Sequence, residues 1–135
     1  VKLAHLDDWN AARRRHAARY DELLPYSLVV PQKTAHFAEP VYHLYVIRTK
    51  NRTALQAHLK ERGVATGIHY PTPIHLQPAY QDLGYQKGQF PVTEQFADEL
   101  LSLPMYAELS VPMVDHVVDS VKAFAGEASL ASIAM

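Results

Sequence analysis

The stretch from Gly67 to Tyr80, GIHYPTPIHLQPAY, places three prolines, two histidines and two tyrosines in one short span. Proline locks φ and lacks a backbone N–H, so Pro71, Pro73 and Pro78 bar this segment from a helix interior or a central strand. A stiff polar loop is the remaining option. Such a loop can hold His69, Tyr70, His75 and Gln77 at fixed positions with little ordering cost on binding, which is what a ligand-contacting loop needs.

At 135 residues, with 48% hydrophobic and 20% charged residues, the chain has the composition of one soluble globular domain. A formal net charge of −1 gives no electrostatic case for nucleic-acid binding. Arg13, Arg14, Arg15 and Arg19 make one locally basic helix, read as a solvated face. There is no cysteine, so disulfides and thiolate metal sites are excluded; a reducing compartment, the cytoplasm by default, fits this. No apolar run approaches the roughly 20 residues of a membrane span. The chain begins at Val1 and enters a helix almost at once, so an N-terminal part is expected to be missing.

From Asp7 to Leu24, Leu6, Trp9, Ala12, His16, Tyr20 and Leu23 recur at helical spacing, with Asp7 as cap and Pro25 as stop. Residues 41 to 48, VYHLYVIR, read as a strand buried on both faces, with His43 a satisfied core residue and Tyr42 and Tyr45 in the core. Asn51 is the expected N-cap and Gly63 the C′ residue of a helix over 52–62, and Val64 to His69 reads as a second strand. After the loop, a short helical turn around Ala79 to Leu83 ends at Gly84, and Gly88 marks another turn. Pro91 opens a helix with Val92, Phe96 and Leu100 in its stripe, and Ser102 to Met105 forms a brief extended piece. Ser110 caps a last helix carrying Val111, Val114, Val117, Val118, Val121 and Phe124, which Gly126 stops. Residues 1–126 thus form one domain, and 127–135 a frayed or disordered tail. The order describes a two-layer α/β sandwich.

WNAARRRHAARY, HLYVIRTKNRTALQAHLKERGVATGIHYPTPIHLQPAY and GQFPVTEQFADELLSLPMY resemble, in order and spacing, the C-terminal part of the DegT/DnrJ/EryC1/StrS family of pyridoxal-phosphate-dependent sugar aminotransferases. The resemblance implies the small C-terminal domain of a fold-type I aminotransferase, which closes over the active site of a homodimer whose larger N-terminal domain holds pyridoxal 5'-phosphate. It also implies a nucleotide-linked keto sugar as substrate and glutamate as amino donor. IHYPTPIHLQPAY looks closest to members that aminate C3 of a dTDP-linked 3-keto-6-deoxyhexose; amination at C4 is the near alternative.

Transamination needs a lysine that forms a Schiff base with the cofactor. In the family it lies in a segment resembling SFYPxKNLG, and none of Lys2, Lys33, Lys50, Lys60, Lys87 or Lys122 has that context. The chain alone is therefore expected to be inactive and to bind no cofactor covalently. His69 and Tyr70 match the family's HY pair, and the resemblance makes them substrate-binding, with His75 following in the same loop. Without the resemblance, a packed Tyr70 ring and a His69 bonded to a backbone carbonyl would be the ordinary reading. For His75, and for Gln77, loop scaffolding stands about even with a functional role. His16 and His58 read as ordinary amphipathic positions and His36 as solvent-facing.

A zinc site from His69, His75 and His43 or His36 lacks the helical register of H-E-x-x-H. No G-x-S-x-G elbow or glycine-rich phosphate loop is present. The alternative to an aminotransferase domain is a non-catalytic binding or interaction domain that retains the same fold.

Overall fold

A computed structural model describes residues 1–133, those after Gly126 as backbone alone. A short 3₁₀ turn, Lys2–His5, leads into helix α1, Leu6–Leu23. His5, not Asp7, is the N-cap; Asp7 and Asp8 lie in the first turn, where their charge complements the helix N-terminus. Leu24 is extended (φ −69°, ψ 142°), as the crowding of a following proline requires, and α1 ends there.

The sheet has three antiparallel strands in the order β1 (Val30–Pro31), β2 (Tyr45–Arg48), β3 (Leu100–Leu103). Tyr45 faces Leu103, and Ile47 faces Leu101. These four side chains project to one face and are buried against Ala17, Tyr20 and Leu24 of α1 and its end, and Leu55 and Leu59 of helix α2 (Arg52–Glu61). Helix α4, Val111–Ile133, closes the core with Val114, Val117, Val118 and Val121. Burying each such side chain contributes about 1.5–3 kcal/mol.

The strand expected over 41–48 is half as long. Tyr42 has φ 47°, which breaks the extended run, so pairing begins only at Tyr45 and His43 is exposed rather than in the core. Nor are both faces of β2 fully buried: Val46 and Arg48 are half-buried because the three core helices lie on the other side. The guanidinium of Arg48 sits 4.0 Å above the Phe96 ring and bonds Glu99 at 2.8 and 3.0 Å. The second strand expected from Val64 to His69 reduces to one bridge between Gly67 and Ser102, since three prolines follow too closely for a ladder to extend. The extended piece placed at Ser102 to Met105 starts earlier, at Leu100, and stops before Pro104.

Gly63 does end α2. Its φ is 75°, with Val64 N–H bonding Leu59 C=O at 2.8 Å and Gly63 N–H bonding Lys60 C=O at 3.0 Å, the paired bonds of a Schellman stop. Asn51 makes no side-chain cap bond. Helix α3, Pro91–Glu99, opens on its proline as expected. Gly126 does not stop α4, which continues to Ile133; of the tail expected to fray, residues 134 and 135 lie outside the described residues.

The arginine run is not simply a solvated face. Arg13 donates to Val41 C=O at 3.1 Å, Arg14 pairs with Glu39 at 3.4 Å, and Arg19 holds Asp115 with bonds of 2.5 and 2.8 Å that tie α1 to α4. The bonds from Arg19 hold the Asp115 carboxyl below its ordinary range against a smaller opposing effect of burial. Bonds from Gln95 and Arg48 do the same for Glu99.

Two outcomes follow from this packing. Leu101→Ala is expected to lower unfolding free energy by about 2–5 kcal/mol in urea titrations, and Val46→Ala by clearly less. The carboxylates carry folded pKa values below their unfolded ones, so their contribution is full at neutral pH and is lost as pH falls. The urea midpoint should therefore drop between about pH 6 and about pH 3, less steeply in Asp115→Asn.

Candidate functional site

The loop is carried by the end of α2 on one side and by β3 on the other. Val64 is buried beneath the Schellman stop, Gln56 donates to Thr66 Oγ1 at 3.2 Å, and Gly67 then meets β3. Gly67 N–H bonds Ser102 C=O at 3.1 Å, and Ser102 N–H bonds Gly67 C=O at 2.8 Å. The next residue, Ile68, packs against the core.

His69 and Tyr70 emerge together at this edge, joined by a cis peptide. The His69 ring turns back so that Nδ1 lies 2.9 Å from Ser102 Oγ, while Nε2 makes no hydrogen bond among the described residues. The Tyr70 ring stands edge-on to His69 at 5.7 Å and is 74% exposed. A packed Tyr70 and a carbonyl-bonded His69 are therefore not what the fold builds. The pair offers an imidazole nitrogen and a phenol to solvent, both able to bond hydroxyl or phosphate oxygens.

His75 is placed in a different cluster. It lies in a 3₁₀ turn, Ile74–Leu76, with Nε2 3.1 Å from Glu94 Oε1 and its ring 4.7 Å from Phe90. Glu94 also accepts from Gly88 N–H at 2.8 and 2.9 Å and from Phe90 N–H at 3.3 Å. Burial pushes the Glu94 carboxyl up, but bonds from Gly88, His75 and Phe90 together hold it below the ordinary range. His75 thus fastens the proline loop to the start of α3. Gln77 donates back to Thr72 C=O at 3.4 Å within the loop. The 3₁₀ turn Pro78–Leu83 ends at Gly84, whose φ is 74°.

Sequence reasoning missed Ser102, Gly67 and Glu94. A lone hydroxyl in the apolar run LLSL was the available signal for Ser102. An acid in the first turn behind Pro91, positioned to reach back to the cap N–H, was the signal for Glu94.

No group of three or more His, Asp or Glu side chains that could hold a metal ion occurs among the described residues. None of the helices among them is long and apolar enough to cross a membrane.

A three-stranded sheet layered with helices is an architecture this chain shares with solved aminotransferase structures. The chain belongs to the DegT/DnrJ/EryC1/StrS aminotransferase family, whose model matches residues 1–122. It is 50% identical over 124 residues to the erythromycin biosynthesis sensory transduction protein EryC1 of Saccharopolyspora erythraea, covering 91% of this chain and 34% of that protein. It is 40% identical to the dTDP-3-amino-3,4,6-trideoxy-alpha-D-glucose transaminase of Streptomyces venezuelae, covering 93% of this chain and 33% of the enzyme. The crystal structure of S. venezuelae DesV in complex with a ketimine intermediate superposes with a TM-score of 0.87 at 41% identity, covering 91% of this chain and 33% of that one. The chain thus spans about a third of the length of the curated relatives it matches.

The family depends on pyridoxal phosphate, which needs a lysine amine held in a desolvated setting and a carboxylate for its ring nitrogen. All six lysines of this chain are exposed. None of them is held in such a desolvated setting.

Replacing Glu94 by alanine should release the turn at 86–90. Amide exchange at Gly88 and Phe90 is expected to accelerate by roughly tenfold, the loss of a bond to a charged acceptor, while amides of β2 and β3 keep their rates.

Proposed function

We propose that this chain serves as the small domain of an aminotransferase that moves an amino group from glutamate to C3 of a dTDP-linked 3-keto-6-deoxyhexose. Pyridoxal phosphate and its lysine are then supplied by a further, larger domain, and the enzyme works in the cytoplasm as a homodimer. The observation that carries this reading is the His69–Tyr70 pair, held at the sheet edge with an Nε2 that has no partner among the described residues and an exposed phenol. The S. venezuelae relative, named as a dTDP-3-amino sugar transaminase, supports the sugar class and the position of amination.

In this reading His69 donates to an oxygen of the nucleotide sugar, and the Tyr70 hydroxyl bonds the sugar beside it. The pair binds and orients substrate. His75 supports the loop from behind through Glu94.

A second reading has one observation in its favour. The relative at 50% identity bears the name of a sensory transduction protein, which fits a non-catalytic interaction domain on the same fold.

Steady-state kinetics on the enzyme that carries this domain separate the two readings. His69→Asn should raise KM for the sugar by an amount equal to about 1–3 kcal/mol. Tyr70→Phe should lower turnover of the sugar while leaving the fold and cofactor spectrum intact. The glutamate half-reaction should be preserved in both. Equal loss of both half-reactions would refute sugar recognition by the pair, and absence of any transaminase activity in the wild type would favour the interaction domain.

A further inference from the structure

The seat beneath His69 is built from two residues that lie far apart in sequence. On one side is Ser102, only 4% exposed. Its backbone N–H and C=O are both committed to Gly67, and among the described residues its hydroxyl has one partner, His69 Nδ1. On the other side is Gly67 itself. A Cβ placed there would lie 2.5 Å from His69 Cε1 and 3.2 Å from Nδ1, so the imidazole occupies the space that any other residue's side chain would take.

We infer that Ser102 and Gly67 are positioning residues that fix the His69 imidazole in its Nε2–H tautomer and present that N–H outward as a hydrogen-bond donor. A serine hydroxyl has one proton to give. With Ser102 buried, an O–H left there without an acceptor is penalised. If Nδ1 carried the proton and donated to Ser102 Oγ, the hydroxyl proton would be left without an acceptor. With Nδ1 as acceptor, every polar atom of the seat is satisfied and the proton sits on Nε2. The ring also fills the space where a Gly67 Cβ would stand. Sequence reasoning gave His69 a substrate-binding role without a tautomer; the seat assigns one. An N–H donor selects oxygens that accept, such as a phosphoryl or carbonyl oxygen, over groups that can only donate.

The functional value of this arrangement rests on the proposed contact between His69 and the sugar, but the tautomer itself is a property of this chain alone. It is read by long-range ¹H–¹⁵N correlation spectra of the histidine rings in mildly alkaline buffer. Wild type should show an acceptor-type shift at His69 Nδ1 and a protonated-type shift at Nε2. Ser102→Ala should abolish that pattern or average it between tautomers.

Gly67→Ala provides an independent check. The clashing atoms belong to the end of a flexible side chain, so the variant should fold with little loss of stability while displacing the ring and disturbing the same signals. A predominantly Nδ1-protonated ring in wild type overturns the assignment. So does an unchanged His69 pattern in folded Ser102→Ala, or in Gly67→Ala should the serine variant fail to fold. If the ring signals respond as expected while Ser102→Ala leaves KM for the sugar unchanged in the enzyme carrying this domain, the tautomer stands and the sugar contact by His69 falls.

Discussion

Strand β3 is gripped along both of its edges, and the rest of the molecule depends on that. β2 pairs with it from Leu100 to Leu103 on one side, and Gly67 bridges Ser102 on the other. Because side chains alternate across a strand, Leu101 and Leu103 enter the helix-covered core while Ser102 projects from the opposite face. One strand thus anchors the hydrophobic interior and seats the histidine of the candidate site. The period of two separates these tasks without an intervening element.

Histidine serves two purposes in this fold, told apart by what its nitrogens meet. His16 bonds Ala107 C=O at 3.3 Å, His58 bonds Ser120 C=O at 3.0 Å, and His116 bonds Arg62 C=O at 2.9 Å. The last two interlock α2 and α4, each helix contributing a ring to a carbonyl of the other's segment. Buried polar atoms are satisfied with equal care. Tyr20 donates to Pro104 C=O and Tyr45 to Asp21, and burial, with Asp21 adding to it at Tyr45, pushes both phenols well above their ordinary range. Among the described residues no buried side-chain nitrogen or oxygen lacks a partner. His69 differs from those three histidines in that its ring meets a side-chain hydroxyl, Ser102 Oγ, rather than a backbone carbonyl.

What the sequence disclosed was mostly punctuation. Gly63, Gly84, Pro25 and Pro91 mark real stops and starts because their backbone restrictions act locally. Strand limits were less legible. The run VYHLYVIR carries strand-forming side chains throughout, yet a left-handed residue at Tyr42 confines pairing to its second half. The segment 64–69 has the composition of a strand but only Gly67 finds a partner. Both outcomes are decided by tertiary pairing, which propensity does not encode. For the site, the loop and its HY pair were legible as a motif, whereas the roles of Ser102 and Glu94 required knowing which distant segments meet.

The contact between His69 and Ser102 closes a loop of 33 residues, and bringing such ends together costs about 3 kcal/mol in chain entropy on a logarithmic length law. Nothing local repays that cost; repayment comes from β3 docking against β2 and the helices. The geometry at His69 is consequently an indicator of global order. A chain whose sheet has not formed has no seat for the ring, so His69 takes up this geometry only once the whole domain is folded.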